Sequence, residues 1–125
     1  MKVLFCLVAC LMVWSCKTVK PGNAFCFKGR LEIKAACMNY TIKLIDGDMD
    51  TSLIVQKWTN ESTGKSYSNV FALASRCSFP ADIREGQEFY FALDKTTVQN
   101  CAVCMMYYPV PSKQLSINVL RGTCK

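Results

Sequence analysis

The residues of this chain with the most chemical potential are its nine cysteines, and it contains no histidine. A Ser–His or Cys–His nucleophile pair cannot be assembled. Zinc sites that need an imidazole are excluded with it. Cys101-Ala102-Val103-Cys104 forms a C-x-x-C, which in a cytosolic redox protein would be a reactive pair. Here it lies in an apolar stretch that reads as strand. Positions i and i+3 of a strand face opposite ways, so the two thiols are expected to bond to different partners. Asp46-Gly47-Asp48-Met49-Asp50 opens like a calcium loop, but Thr51 and Lys57 stand where such a loop needs Gly and Glu. It reads as a turn with solvated carboxylates. The remaining acids fall in turns and on polar strand faces, not as a pair in a cleft. The expectation is a protein without catalysis and without a cofactor.

The compartment follows from the first residues. Lys2 precedes an apolar run over residues 3–13, too short to span a bilayer, which needs about 20 residues, but suited to the core of a signal peptide. Cleavage after Ser15 leaves a small residue at the cut and Val13 two positions before it. Residues 1–15 therefore read as a signal peptide and residues 16–125 as one secreted domain. Acylation of Cys16 is the rival reading, which the bulky Trp14 disfavours. Removing Cys6 and Cys10 leaves Cys16, Cys26, Cys37, Cys77, Cys101, Cys104 and Cys124. In an exported chain these are disulfide candidates, and their odd number leaves one thiol free or bonded to another molecule. Two sequons, Asn39-Tyr40-Thr41 and Asn60-Glu61-Ser62, mark Asn39 and Asn60 as glycosylation candidates. The formal charge is +6, with the basic residues scattered, which reads as a solvated surface and not as a nucleic-acid or membrane footprint.

The elements that must position these residues are mostly strands. Alternation of apolar and polar residues predicts strands at 31–33, 40–45, 53–59, 70–74 and 87–93, with a further strand at 98–108 stopped by Pro109 and Pro111. Asp46-Gly47 and Glu85-Gly86 read as turns. Ser112 is placed to cap a short helix whose stripe is Leu115, Val119 and Leu120, closed by Gly122. Short strands with one or two short helices predict a small, closed or partly closed, disulfide cross-linked β-barrel.

The stretch Cys16-Lys17-Thr18-Val19-Lys20-Pro21-Gly22-Asn23-Ala24-Phe25-Cys26 resembles the start of the tissue inhibitors of metalloproteinases. Those proteins open, directly after signal cleavage, on Cys-x-Cys, with a proline a few residues before an Ala-Phe-Cys. Ala74-Ser75-Arg76-Cys77 and the aromatic run from Glu85-Gly86 to Leu93 are similar to the family's next cysteine segment and strand. Cys104 through Pro109, then Leu115-Ser116 to Arg121-Gly122 and Cys124, look like its closing elements. The resemblance spans nearly all of 16–124 and is similar to the single-domain forms secreted by parasitic nematodes. It implies a netrin-type module, a five-stranded barrel of the oligonucleotide-binding (OB) type with short flanking helices.

The resemblance also implies a mechanism. The α-amino group and carbonyl of Cys16 would chelate the zinc of an extracellular metalloprotease, with Lys17, Thr18 and Val19 along the primed subsites. An α-amino pKa near 8 leaves the amine able to donate. The chain departs from the family at this point. Only one cysteine opens it, Lys17 would enter an S1′ pocket that is commonly apolar, and Thr18 stands where one register places a cysteine. Cys26 is implied to pair with Cys124 in either register. Cys16 is implied to pair with Cys77 in one register and with Cys104 in the other. A netrin-type module that has lost inhibition and engages a host or other extracellular protein, as an immunomodulator, is the alternative.

Overall fold

The computed structural model describes residues 25–95 and 101–124. Seven strands follow in order: β1 Cys26–Lys34, β2 Tyr40–Asp46, β3 Val55–Thr59, β4 Ser66–Leu73, β5 Glu88–Leu93, β6 Gln114–Leu115 and β7 Ile117–Leu120. β1 shows why a strand forms here. Phe27, Gly29, Leu31 and Ile33 are buried, while Lys28, Arg30, Glu32 and Lys34 alternate on the wetter face. The outer row is neutralised locally: Lys28 pairs with Glu88 at 2.9 Å, and Arg30 with Glu32 at 2.7 Å.

The pairing order is β3-β4-β2-β1-β5-β7, antiparallel throughout, and β6 pairs parallel to β4. Phe91 of β5 is the hub of the core. It is fully buried and its ring lies 5.5 Å from Phe27, 5.8 Å from Phe71 and 6.0 Å from Phe89. Gly29 is required beside it, since a Cβ there would come within 2.9 Å of the Phe91 ring. Leu31, Ile42, Leu73 and Ile117 complete the apolar centre. Burying such side chains contributes about 1.5–3 kcal/mol each. Residues 70–73 of β4 are all buried, so both faces of this strand are covered.

Three expectations are corrected. The late helix is absent: residues 114–120 form β6 and β7. Ile117 and Val119 face Leu93 and Phe91 in the ladder with β5, and β-branched residues favour such a half-buried surface over a short, poorly nucleated helix. Among the described residues helical structure is limited to three single 3-10 turns, Ala36–Met38, Thr51–Leu53 and Arg76–Ser78. Over its described part, 101–108, the strand expected at 98–108 does not form, and this stretch pairs with no other strand. Disulfides at Cys101 and Cys104 tie this stretch to the loops after β4 and β1, and Pro109 and Pro111 cannot donate to a ladder.

The third correction is the closed barrel. The strand order is open, because the last chain segment breaks at Ser116 and serves two strands in turn. Before the break, Ala72 and Ala74 donate to the carbonyls of Lys113 and Leu115 at 2.8 and 2.9 Å; after it, Asp94 donates to that of Ser116 at 2.9 Å. The buried Ser75 hydroxyl sits at the switch. It accepts from the Ile117 N–H at 2.8 Å and donates to the Ile117 carbonyl at 3.0 Å.

Candidate functional site: the knuckle at the Cys37 to Cys104 bridge

The six described cysteines are all used. Cys26 bonds to Cys124, Cys37 to Cys104 and Cys77 to Cys101. The first pair is the one the resemblance implied. The other two replace its implied bonds to Cys16, since both of that residue's candidate partners are bonded elsewhere. Cys101 and Cys104 go to different partners, as expected for the C-x-x-C. The expected signal peptide, residues 1–15, and the expected inhibitory ridge, Cys16, Lys17, Thr18 and Val19, lie outside the described residues.

Two bridges and a few hydrogen bonds build a surface that sequence reading did not single out. The turn after β1 passes through two non-glycine residues in the left-handed region, Cys37 at φ 58° and Met38 at φ 57°. Such backbone costs about 1–3 kcal/mol per residue and persists only where the surroundings enforce it. Here the Cys37 bridge and Asn39 enforce it. Asn39 is buried, and its side-chain nitrogen donates to the carbonyls of Ala36 at 3.0 Å and Met106 at 3.2 Å. The turn and the arm that follows Cys104 are thus fixed to each other.

The arm carries what the turn holds up. Residues 102–111 run without helix, turn or bend, pair with no strand, and include no residue of positive φ. Met105 is 99% exposed, Tyr107 80% and Met106 61%, with Met38 beside the bridge also exposed. A hollow of about 360 Å³ lies among Met105, Met106 and Tyr107, with Asn39, Arg76 and Val110 in its walls. The Tyr107 hydroxyl donates to Glu61 at 2.6 Å, and this bond, then the carboxylate's charge, raises the phenol's pKa above its ordinary value. Further along, Pro109 and Pro111 are buried and anchor the arm's end.

The remaining sequence candidates are spent on structure. Asn60 is 1% exposed; its side-chain oxygen accepts from the Ser62 N–H at 2.9 Å, and its carbonyl accepts from Thr63 and Gly64. Its amide nitrogen is sealed from solvent without a partner. A glycan on Asn60 would need that nitrogen outside the turn, and one on Asn39 would leave one hydrogen for its two donated bonds. In the calcium-like stretch, Asp46 accepts from the Gly47 N–H and Asp50 from the Ser52 N–H, each at 2.9 Å, while Met49 is buried. The bond to Ser52 lowers the Asp50 pKa. One signal could have found the knuckle: Met105-Met106-Tyr107-Tyr108 lacks the alternation of a half-buried strand, directly after a cysteine.

Comparisons with protein-family models, with curated proteins and with solved structures found no match.

Proposed function

We propose that this chain is a secreted, netrin-type binding module that engages an extracellular protein through the knuckle, without catalysis and without a tethered zinc-chelating end. The observation that carries the reading is the pairing of Cys77 with Cys101 and Cys104 with Cys37. It leaves neither implied partner for Cys16. A chelating amine on an unbridged chain end loses conformational freedom on docking, and that ordering cost is what a ridge disulfide would remove. The knuckle, in contrast, is held before any partner arrives. Its exposed methionines and tyrosine are the residue types that dominate binding surfaces.

The module assignment is supported by the path of the last segment. Residues 114–120 pair with β4 through β6 and with β5 through β7. With Ser116 taken as an irregularity, the order β1-β2-β4-(β6/β7)-β5 returns to β1, with its one parallel pairing between β4 and β6. Such an order supports the reading of an open, OB-type barrel carrying β3 as an extra edge strand. Three disulfides fit an oxidising compartment. No helix among the described residues is long and apolar enough to cross a membrane.

The test has two parts. Alkylation of the unreduced, denatured mature chain labels one cysteine, Cys16; label on Cys101 or Cys37 instead, the thiols orphaned when Cys16 bonds to Cys77 or Cys104, would restore the tethered ridge. Titration of the same chain against matrix metalloproteinases gives no inhibition at micromolar concentration. Tight inhibition that disappears when one residue is added ahead of Cys16 would return the protein to the zinc-chelating class.

A further inference from the structure

The arm has the properties of a substrate held still. A protease binds its substrate as an extended strand that completes a short antiparallel pairing with the enzyme, and reads the side chain before the scissile bond in its S1 pocket. Residues 102–111 offer such a strand: no turn or bend, no positive φ and no partner strand. Exposure peaks at Met105, at 99%. The residue before it, Cys104, is bridged to Cys37. The carbonyl of the residue after it, Met106, accepts from the buried Asn39. Both sides of the 105–106 peptide bond are therefore tied to one rigid turn.

We propose that the knuckle is a reactive-site loop for a serine endopeptidase with an apolar S1 pocket, with Met105 as the specificity residue and Asn39 as a positioning residue. The inference rests on the binding-module reading and names its partner. Bracing on both sides is what selects the serine class. The protease serine Oγ adds to the Met105 carbonyl carbon, and its proton passes through the protease histidine to the Met106 nitrogen as the 105–106 bond breaks. In an ordinary substrate the new amine then leaves. Here the Asn39 bond to the Met106 carbonyl keeps it beside the acyl carbon, and the Cys37 bridge keeps the acyl side in place. The amine re-attacks, the proton returns and the bond re-forms, so the enzyme is occupied while little product accumulates. A zinc-water attack forms no acyl-enzyme and would gain nothing from retention of the amine. Because the loop is ordered before docking, little conformational entropy is lost on binding.

The test uses the mature, disulfide-bonded chain against chymotrypsin, pancreatic elastase and trypsin. Inhibition of chymotrypsin or elastase is expected, with trypsin at least about 100-fold less sensitive. Met105→Arg moves inhibition to trypsin, and Met105→Asp abolishes it; as Met105 is solvent-exposed, both variants keep the parent's unfolding midpoint. Asn39→Ala turns the inhibitor toward a substrate, read by mass spectrometry as faster gain of one water at the 105–106 bond. Its near-ultraviolet spectrum checks that the fold persists, and Met105→Arg keeps the test decisive if it does not. Absence of inhibition of all three enzymes by the native chain, or a Met105→Arg chain that is folded yet inert against trypsin, overturns the proposal. Those results would leave the binding module standing, whereas metalloproteinase inhibition through Cys16 would remove the module reading and leave this loop to be judged on its own titration.

Discussion

The sheet and the arm are built by opposite means. In the sheet, strands β1, β2, β4 and β5 are held by ladders and by an apolar centre around Phe91, so each residue is supported by many weak contacts. In the arm, residues 101–111 have no ladder. They are held at discrete points: two disulfides, one Asn39 bond, one Tyr107 bond and the two buried prolines. Distributed support tolerates the loss of any one polar contact but not of a central ring. Point support allows apolar side chains to stay in water, because nothing in the holding requires them to be buried. That is how a small domain keeps Met105, Met106 and Tyr107 on display without collapsing them into its core.

The contrast can be broken most forcefully at the centre. Phe91→Ala removes a fully buried ring that touches three others, and chemical denaturation should show a loss of about 3–5 kcal/mol. A loss under about 1 kcal/mol would mean that the core is not centred there. Next comes the arm's main tether. Replacing Cys37 and Cys104 together by serine opens a bridge between residues 67 positions apart and should cost about 2–4 kcal/mol. Hydrogen exchange should then rise first in the arm and in the turn after β1, with β1 and β5 still protected. Uniform exchange across the chain would erase the distinction between the two regions.

Smaller effects sharpen the comparison. Ser75→Ala strips the hydroxyl that bonds the Ile117 N–H and carbonyl at the strand switch. A buried donor and acceptor left unpaired should cost about 1–3 kcal/mol, read as a lower unfolding midpoint with the disulfides intact. The smallest effect is a titration. The folded Tyr107 pKa is raised, so its bond to Glu61 contributes below the unfolded pKa of about 10 and fades as pH rises through the folded value. Tyrosinate absorbance of the native chain, minus that of Tyr107→Phe, should report one phenol ionising above the ordinary range. Glu61→Gln should bring it back down.

Much of the sheet was legible because a half-buried strand writes its two faces into alternate residues. The segments of β2, β3, β4 and β5 were anticipated within a few residues, and the core of β1 around Leu31 and Ile33 with them. The errors share a cause. Leu115 and Val119 are spaced as one helical stripe, yet Ile117 and Val119 also share one strand face, and only the waiting edge of β5 distinguishes the two. Val103 to Tyr108 is apolar enough for a strand but has no partner. Tyr107 is satisfied instead by Glu61, 46 positions earlier in the chain. The expected ridge at Cys16 to Val19 was argued from resemblance, while the knuckle, built from residues 36–39 and 104–107, left almost no mark in local pattern.

Local sequence determined where the chain extends and where glycine lets it turn. Those properties depend on neighbours within a few residues, through side-chain alternation and φ preferences. Tertiary structure alone decided which cysteines bond, that the final segment becomes two short strands, and that Met105 stands in water between two anchored residues. Six cysteines allow 15 pairings, and the choice among them is made by distances between loops that approach only once the sheet has formed.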